Sequence, residues 1–205
     1  MDQDYARAAG KKGLIGTTIA MIIFASIGYG IAYATYIWGS TAKYDAKINQ
    51  AKQQELAWPC LAVVIFGFAV IWLNIFPVFY KEQIMKGGNF RANMFIFRQA
   101  ASEPSESSAV VLREDGNYGC YNRGNRSIGH FLENCLPILT TMPLGFFIYP
   151  FPSAVCLMVY AFGRVIYQIG YTSIGFGAHA PGFMMDRFST FTMLGLVLHA
   201  SLKMM

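Results

Sequence analysis

The stretch NCLPILTTMPLGFFIYPFPSAVCLMVYAFG, residues 134–163, carries no charged side chain and is broken near its middle by Tyr149-Pro-Phe-Pro152. Proline has no amide hydrogen to donate and its ring clashes with the preceding turn, so this pair ends one helix and starts another. The stretch therefore reads as a helical hairpin in apolar surroundings. Two more charge-free runs, residues 13–42 and 56–80, are each long enough to cross a hydrocarbon core, which takes about 20 apolar residues. A last apolar stretch, Phe188 to Leu202, spans only if the preceding Pro181-Gly-Phe-Met-Met joins it. The expectation is an all-α integral membrane protein with five spans.

Composition agrees. Of 205 residues, 55% are hydrophobic and 16% aromatic, with only 13% charged, a balance too apolar for a soluble domain of this size. The net charge of +5 is informative loop by loop. Arg7, Lys11 and Lys12 lie in the N-terminal tail, and Lys43, Lys47 and Lys52 in the first loop. Lys81, Lys86, Arg91, Arg98, Arg113, Arg123 and Arg126 fall between the second and third apolar segments. With five spans the tail and the long loop share one side, which the positive-inside bias makes cytosolic, matrix or stromal. Bases scattered along membrane edges do not make a nucleic-acid surface. Residues 1–12 mix acid and base, and the apolar run behind them is too long for a signal peptide, so it reads as a retained first span.

Residues 1–55 divide into a tail, a first span and a polar linker, and residues 56–205 form the remaining membrane domain with a long loop at 81–125. In the first span Gly28, Gly30, Ala32 and Ala34 make a small-residue face suited to close helix packing. The linker from Lys43 to Glu55 is rich in helix formers and mostly polar, which predicts a surface helix. The long loop contains an aromatic and basic stretch, Phe90 to Phe97, and a turn-rich breaker, Ser102 to Ser108. Cys60, Cys120, Cys135 and Cys156 have no metal-ligand or redox spacing and read as free thiols.

Two polar stripes interrupt this apolar chain. Arg126, His130, Glu133 and Pro137 recur at i, i+4, i+7 and i+11, one face of a helix, and Arg164, Tyr167 and Tyr171 at i, i+3 and i+7, again one face. Ionisable groups in a span cost several kcal/mol unless they face protein or water, so these stripes are the candidate functional site. The proline turn makes the two helices antiparallel, which sets Glu133 and Arg164 at similar depths, where they are expected to neutralise one another. His199, in Val197-Leu-His-Ala-Ser, is a histidine on an apolar helix and so a candidate axial ligand for haem or chlorophyll, or an interhelical hydrogen-bonding group.

The run Gly163-Arg-Val-Ile-Tyr-Gln-Ile-Gly-Tyr171 is similar to the Gly-Arg-x-x-Tyr-x-x-Gly-Tyr signature of the membrane-associated proteins in eicosanoid and glutathione metabolism, the MAPEG family, which includes the microsomal glutathione transferases. Arg126 to Pro137 resembles that family's Arg-x-x-x-Asn-x-x-Glu followed by proline, with His130 in place of asparagine. The resemblance covers roughly residues 56–202. It implies a four-helix bundle, here with an extra N-terminal span, that trimerises and binds glutathione between subunits. By position, Arg126, His130, Glu133, Arg164, Tyr167 and Tyr171 would hold glutathione, with Tyr171 and Arg126 as catalytic candidates and a lipophilic electrophile as second substrate. The segment from Thr172 to Pro181 has no arginine or lysine to stabilise a thiolate, and His179 is the one substitute there. The functional expectation is a transferase-like protein. Its alternative is a degenerate relative acting as accessory subunit of a larger respiratory or photosynthetic complex. The expected membrane is that of the endoplasmic reticulum, mitochondrion or plastid.

Overall fold

The computed structural model describes residues 3–84, 94–99 and 110–205. In chain order these form α1 (Gln3–Trp38), α2 (Thr41–Gln53), α3 (Ala57–Ile75), α4 (Val78–Ile84), β1 (Phe97–Gln99), β2 (Val110–Leu112), α5 (Gly116–Asn134), α6 (Leu136–Ile148), α7 (Pro150–Ser173) and α8 (Ala180–Met204). The breaks follow local chemistry. Pro150 and Pro152 open α7 just after Tyr149, as the sequence predicts. Pro77 separates α3 from α4, and Pro137, near the start of α6, ends α5. The turn from α7 into α8 uses Gly175 and Gly177 at φ of 118° and 95°, conformations that side-chain-bearing residues rarely adopt.

Three helical segments are long and apolar enough to cross a membrane: Arg7–Trp38, Ala57–Ile84 and Pro150–Ser173. A fourth is added if α5 and α6, bent by 47° where they meet, act as one broken span. The chain is thus an all-α, multi-pass membrane protein. α8, where the fifth span is expected, is 25 residues long, carries Asp186 and Arg187 in its first third and is not among these segments.

α7 is the axis of the bundle, packed by α8 on one side and by α3, α5 and α6 on others. Its residues Ala154, Leu157 and Tyr160 are buried with Ala62 and Leu73 of α3, Phe131 of α5, Ile138 of α6 and Met193 of α8. In a bilayer, lipid tails are as apolar as leucine, so helices associate through close packing and polar contacts rather than by hiding apolar surface. The α7–α8 seam is built that way. A methyl group on Gly182 would run into the Tyr167 amide and the Gly163 carbonyl, and one on Gly170 would strike the Ala178 carbonyl.

α1 behaves differently from the rest. Its first turns are held against α4, where a methyl on Gly10 would meet the Phe79 carbonyl and one on Gly13 would come within 2.6 Å of Glu82 Cγ. Beyond Thr17 it leaves the bundle, and Phe24, Ile31 and Trp38 are exposed. Among the described residues nothing lies within 4 Å of a methyl at Gly28 or Gly30, so no described helix meets these two glycines of the small-residue face. α2, the expected polar surface helix, has no buried residue.

The hydrophilic loop is shorter than its sequence implies, because α4 reaches Ile84 and α5 begins at Gly116. β1 and β2 pair antiparallel, Phe97 opposite Leu112. Asn122, 1% exposed, ties this hairpin to α5: its amide donates to the carbonyls of Ile96 (2.8 Å) and Arg113 (2.7 Å), and its oxygen accepts from the Ile96 amide (2.9 Å). Asn125 donates to the Met94 carbonyl at 3.0 Å. The forked pairing with Arg113 holds the exposed Asp115 carboxyl below the ordinary carboxylate range. Of the aromatic stretch from Phe90 to Phe97 only residues 94–97 are described; Met94, Phe95 and Phe97 are exposed, and Ser102 to Ser108 lie outside the described residues.

Two substitutions test these joints. Gly182→Ala overpacks the α7–α8 seam and is expected to cost about 3 kcal/mol, read as a lower midpoint in detergent unfolding. Asn122→Ala removes three hydrogen bonds, and hydrogen exchange at residues 94–99 and 110–113 is expected to quicken while the bundle midpoint moves little.

Candidate functional site: a buried arginine cluster

Arg164 sits midway along α7 with its side chain 1% exposed. Its Nη1 donates to Asp186 Oδ2 of α8 at 3.1 Å and to His130 Nδ1 of α5 at 3.1 Å, and its Nη2 donates to the Ser127 carbonyl at 3.0 Å. A guanidinium can only donate, so His130 Nδ1 accepts and the ring proton sits on Nε2. The guanidinium carbon also lies 4.4 Å from the centre of the Tyr167 ring. Three helices converge on one cation.

Asp186, 0% exposed, is shared. Its second oxygen accepts from Arg187 Nε at 2.9 Å, with Arg187 Nη2 at 2.6 Å. A fully buried carboxylate is tolerable only when paired and hydrogen-bonded, and two arginines accomplish that. With His130 neutral, two guanidinium charges against one carboxylate leave the cluster with one positive charge in excess.

Around it lies a ring of aromatic side chains. His130 stacks on Tyr167 with ring centres 5.1 Å apart and planes 6° from parallel. His179 lies 4.9 Å from Tyr167 and 5.4 Å from both Tyr171 and Phe176, and Phe183 closes the group. Along α7, Gln168 donates to the Gly124 carbonyl at 3.3 Å. Four buried atoms on this seam have no hydrogen-bond partner among the described residues: Ser127 Oγ, Arg164 Nε, Gln168 Oε1 and Thr172 Oγ1. They remain able to bond water or a polar ligand. Near the mouth, Arg123 donates to the carbonyls of Tyr171 (3.1 Å) and Thr172 (3.2 Å), a cation at the negative end of α7.

The structure brings together His130, Arg164 and Tyr167 from the expected set, with half-buried Tyr171 and His179 beside them. It corrects the expected pairing of Glu133 with Arg164. Glu133 is exposed on α5 and does not neutralise Arg164, a role that Asp186 fills. Arg126 is exposed too. The face of α5 turned toward α7 carries Arg123, Ser127 and His130 instead, a stripe displaced by three residues, and only His130 is common to both. Helical spacing identifies residues that share a face but not which face turns inward. His199 is exposed on α8, away from these groups in sequence and setting. Asp186 was legible: with Arg187 it provides the only charge between Pro181 and Leu202. Ser127 acts through its backbone carbonyl and left no such signal.

Comparison with protein-family models, with characterised proteins and with solved structures gave no match.

Removing one member of a buried pair strands a charge, which costs about 3–5 kcal/mol, whereas replacing both by apolar groups is often neutral. Asp186→Ala is therefore expected to lower stability by that amount, and Arg164→Met combined with Asp186→Leu to recover most of it. Equal losses in the single and double variants would show that the pair does not act as a unit.

Proposed function

We propose that this protein is a non-catalytic, accessory subunit of a larger membrane assembly, built on a MAPEG-like bundle with an added first span and five spans in all. The observation that supports this most directly is the state of Arg164. Three of its N–H groups are engaged inside the chain by Asp186, His130 and the Ser127 carbonyl. A guanidinium so held is a structural cation, fixing the register of three helices, rather than one free to take a ligand's carboxylate. No arginine or lysine lies from Thr172 to Pro181 to stabilise a thiolate, and the half-buried His179 is engaged with aromatic rings and the Gly177 amide. α1, long, apolar and detached from the bundle along most of its length, offers lateral surface to neighbours. An organellar membrane with respiratory or photosynthetic complexes is the setting proposed.

The test is gentle extraction of native membranes followed by sizing. The accessory reading expects the chain to migrate in a particle well above a trimer of its own 22.8 kDa mass, with other polypeptides in fixed ratio. Migration as a lone trimer would overturn it.

A second reading is favoured by Arg126 and Glu133, two opposite charges exposed two turns apart on α5. If a neighbouring copy covers that face, glutathione could be held between subunits, as the family resemblance implies. Glutathione conjugation to a model electrophile by the purified protein, lost in Arg126→Ala, would support this reading, and no turnover together with no thermal protection by glutathione would sink it.

A further inference from the structure

On another face of α7 from the arginine cluster, α1 and α3 leave an open cleft of about 1080 Å³ between them. α1 contributes Thr18, Met21, Ala25 and Tyr29 to it, α3 contributes residues from Ile65 to Ile75, and Ala161, Phe162 and Val165 of α7 form its floor. Two hydroxyls of the α1 wall are satisfied locally: Thr18 Oγ1 donates to the Leu14 carbonyl at 2.8 Å and Ser26 Oγ to the Ile22 carbonyl at 2.9 Å. The cleft accordingly offers an apolar ligand a broad contact area and a polar one few groups to bond.

We infer that this cleft is a binding site for the acyl chains of one anionic phospholipid, whose headgroup is held by the basic start of α1. Depth argues for a lipid over a helix. Thr18 to Tyr29 on α1 and Ile65 to Ile75 on α3 each cover about 16 Å at 1.5 Å per residue, roughly half of the 30 Å hydrocarbon core. A crossing helix needs a groove along the full core, whereas acyl chains occupy one leaflet. Charge argues for an anionic headgroup. Arg7, Lys11, Thr18, Ala25 and Tyr29 recur at i, i+4, i+11, i+18 and i+22, a single stripe of α1, so two cations stand above the cleft on the face that lines it. Lys12 adjoins them, and Glu82 is packed against Gly13; by sequence, residues 1–12 and α4 together carry four bases, Arg7, Lys11, Lys12 and Lys81, against three acids, Asp2, Asp4 and Glu82, a surplus of one positive charge. Basic groups at the aqueous edge of an interhelical cleft are the arrangement that recognises anionic lipid headgroups. The site shares α7 with the arginine cluster but none of its side chains, so it stands whichever functional reading holds.

The test uses the full chain, purified in detergent and stripped of lipid. Dioleoyl phosphatidylglycerol and dioleoyl phosphatidylcholine are added separately, and the unfolding midpoint and lipid adducts in native mass spectrometry are recorded. The expected result is one phosphatidylglycerol adduct per chain and a rise in midpoint of about 5 °C, with a much smaller response to phosphatidylcholine. Ala69→Trp, which fills the cleft, abolishes both effects, and Gly28→Leu, on the open face of α1, leaves them intact. Lys11→Ala lies on the exposed surface and does not depend on repacking; it removes the preference for phosphatidylglycerol over phosphatidylcholine. Equal response to the two lipids, or an adduct that survives Ala69→Trp, would overturn the proposal. Crosslinking of Ala25→Cys in native membranes to a second polypeptide, in place of lipid, would overturn it in favour of a partner helix.

Discussion

One buried carboxylate organises the polar interior of this bundle. Asp186 has no access to water, and charge in such a place is stable only with partners fixed at hydrogen-bonding distance. Meeting that constraint places Arg164 and Arg187 around it, and Arg164 in turn reaches His130 and the Ser127 carbonyl. The ion pair thereby sets the depth of α8 against α7 and of α5 against both. The pair can form only because Gly163 and Gly182 let the two helix backbones touch, where any larger side chain would hold them apart. Small residues and a buried charge pair are two halves of one device.

The two sides of α7 differ for a consistent reason. Toward α5 and α8 it presents Arg164, Gln168 and Thr172, and neighbouring helices close over them because polar groups in hydrocarbon must find partners. Toward α1 it presents Ala161, Phe162 and Val165, for which lipid is as good a neighbour as protein, and nothing draws α1 inward. Among the described residues α1 is held most closely beside α4, at Gly10 against the Phe79 carbonyl and at Gly13 against the Glu82 side chain.

Much of the fold was legible in the sequence. Charge-free runs, the Tyr149 proline break and the polar composition of residues 43–55 depend on local physics alone: the length of a hydrocarbon core, proline's missing hydrogen, and solvation of charge. Those rules gave the membrane class, the α6–α7 hairpin and the surface helix α2. The periodicity of Arg164, Tyr167 and Tyr171 likewise marked the stripe of α7 that faces protein.

What the sequence left undetermined was the rotation of each helix about its own axis. Arg126 and Glu133 share a helix face with His130, yet only the last turns far enough inward to meet Arg164, because rotation follows from which backbones can approach and not from spacing. Asp186 replaced Glu133 as partner for that reason: α8 can come close through Gly182, and α5 presents Ser127 at that depth. The cleft beside α1 was equally invisible, since small residues at 28–34 invite a neighbour without supplying one. Local rules decided which segments are helices and that they lie in a membrane. Only the tertiary structure decided which charges meet, because that depends on how closely two backbones can be brought together.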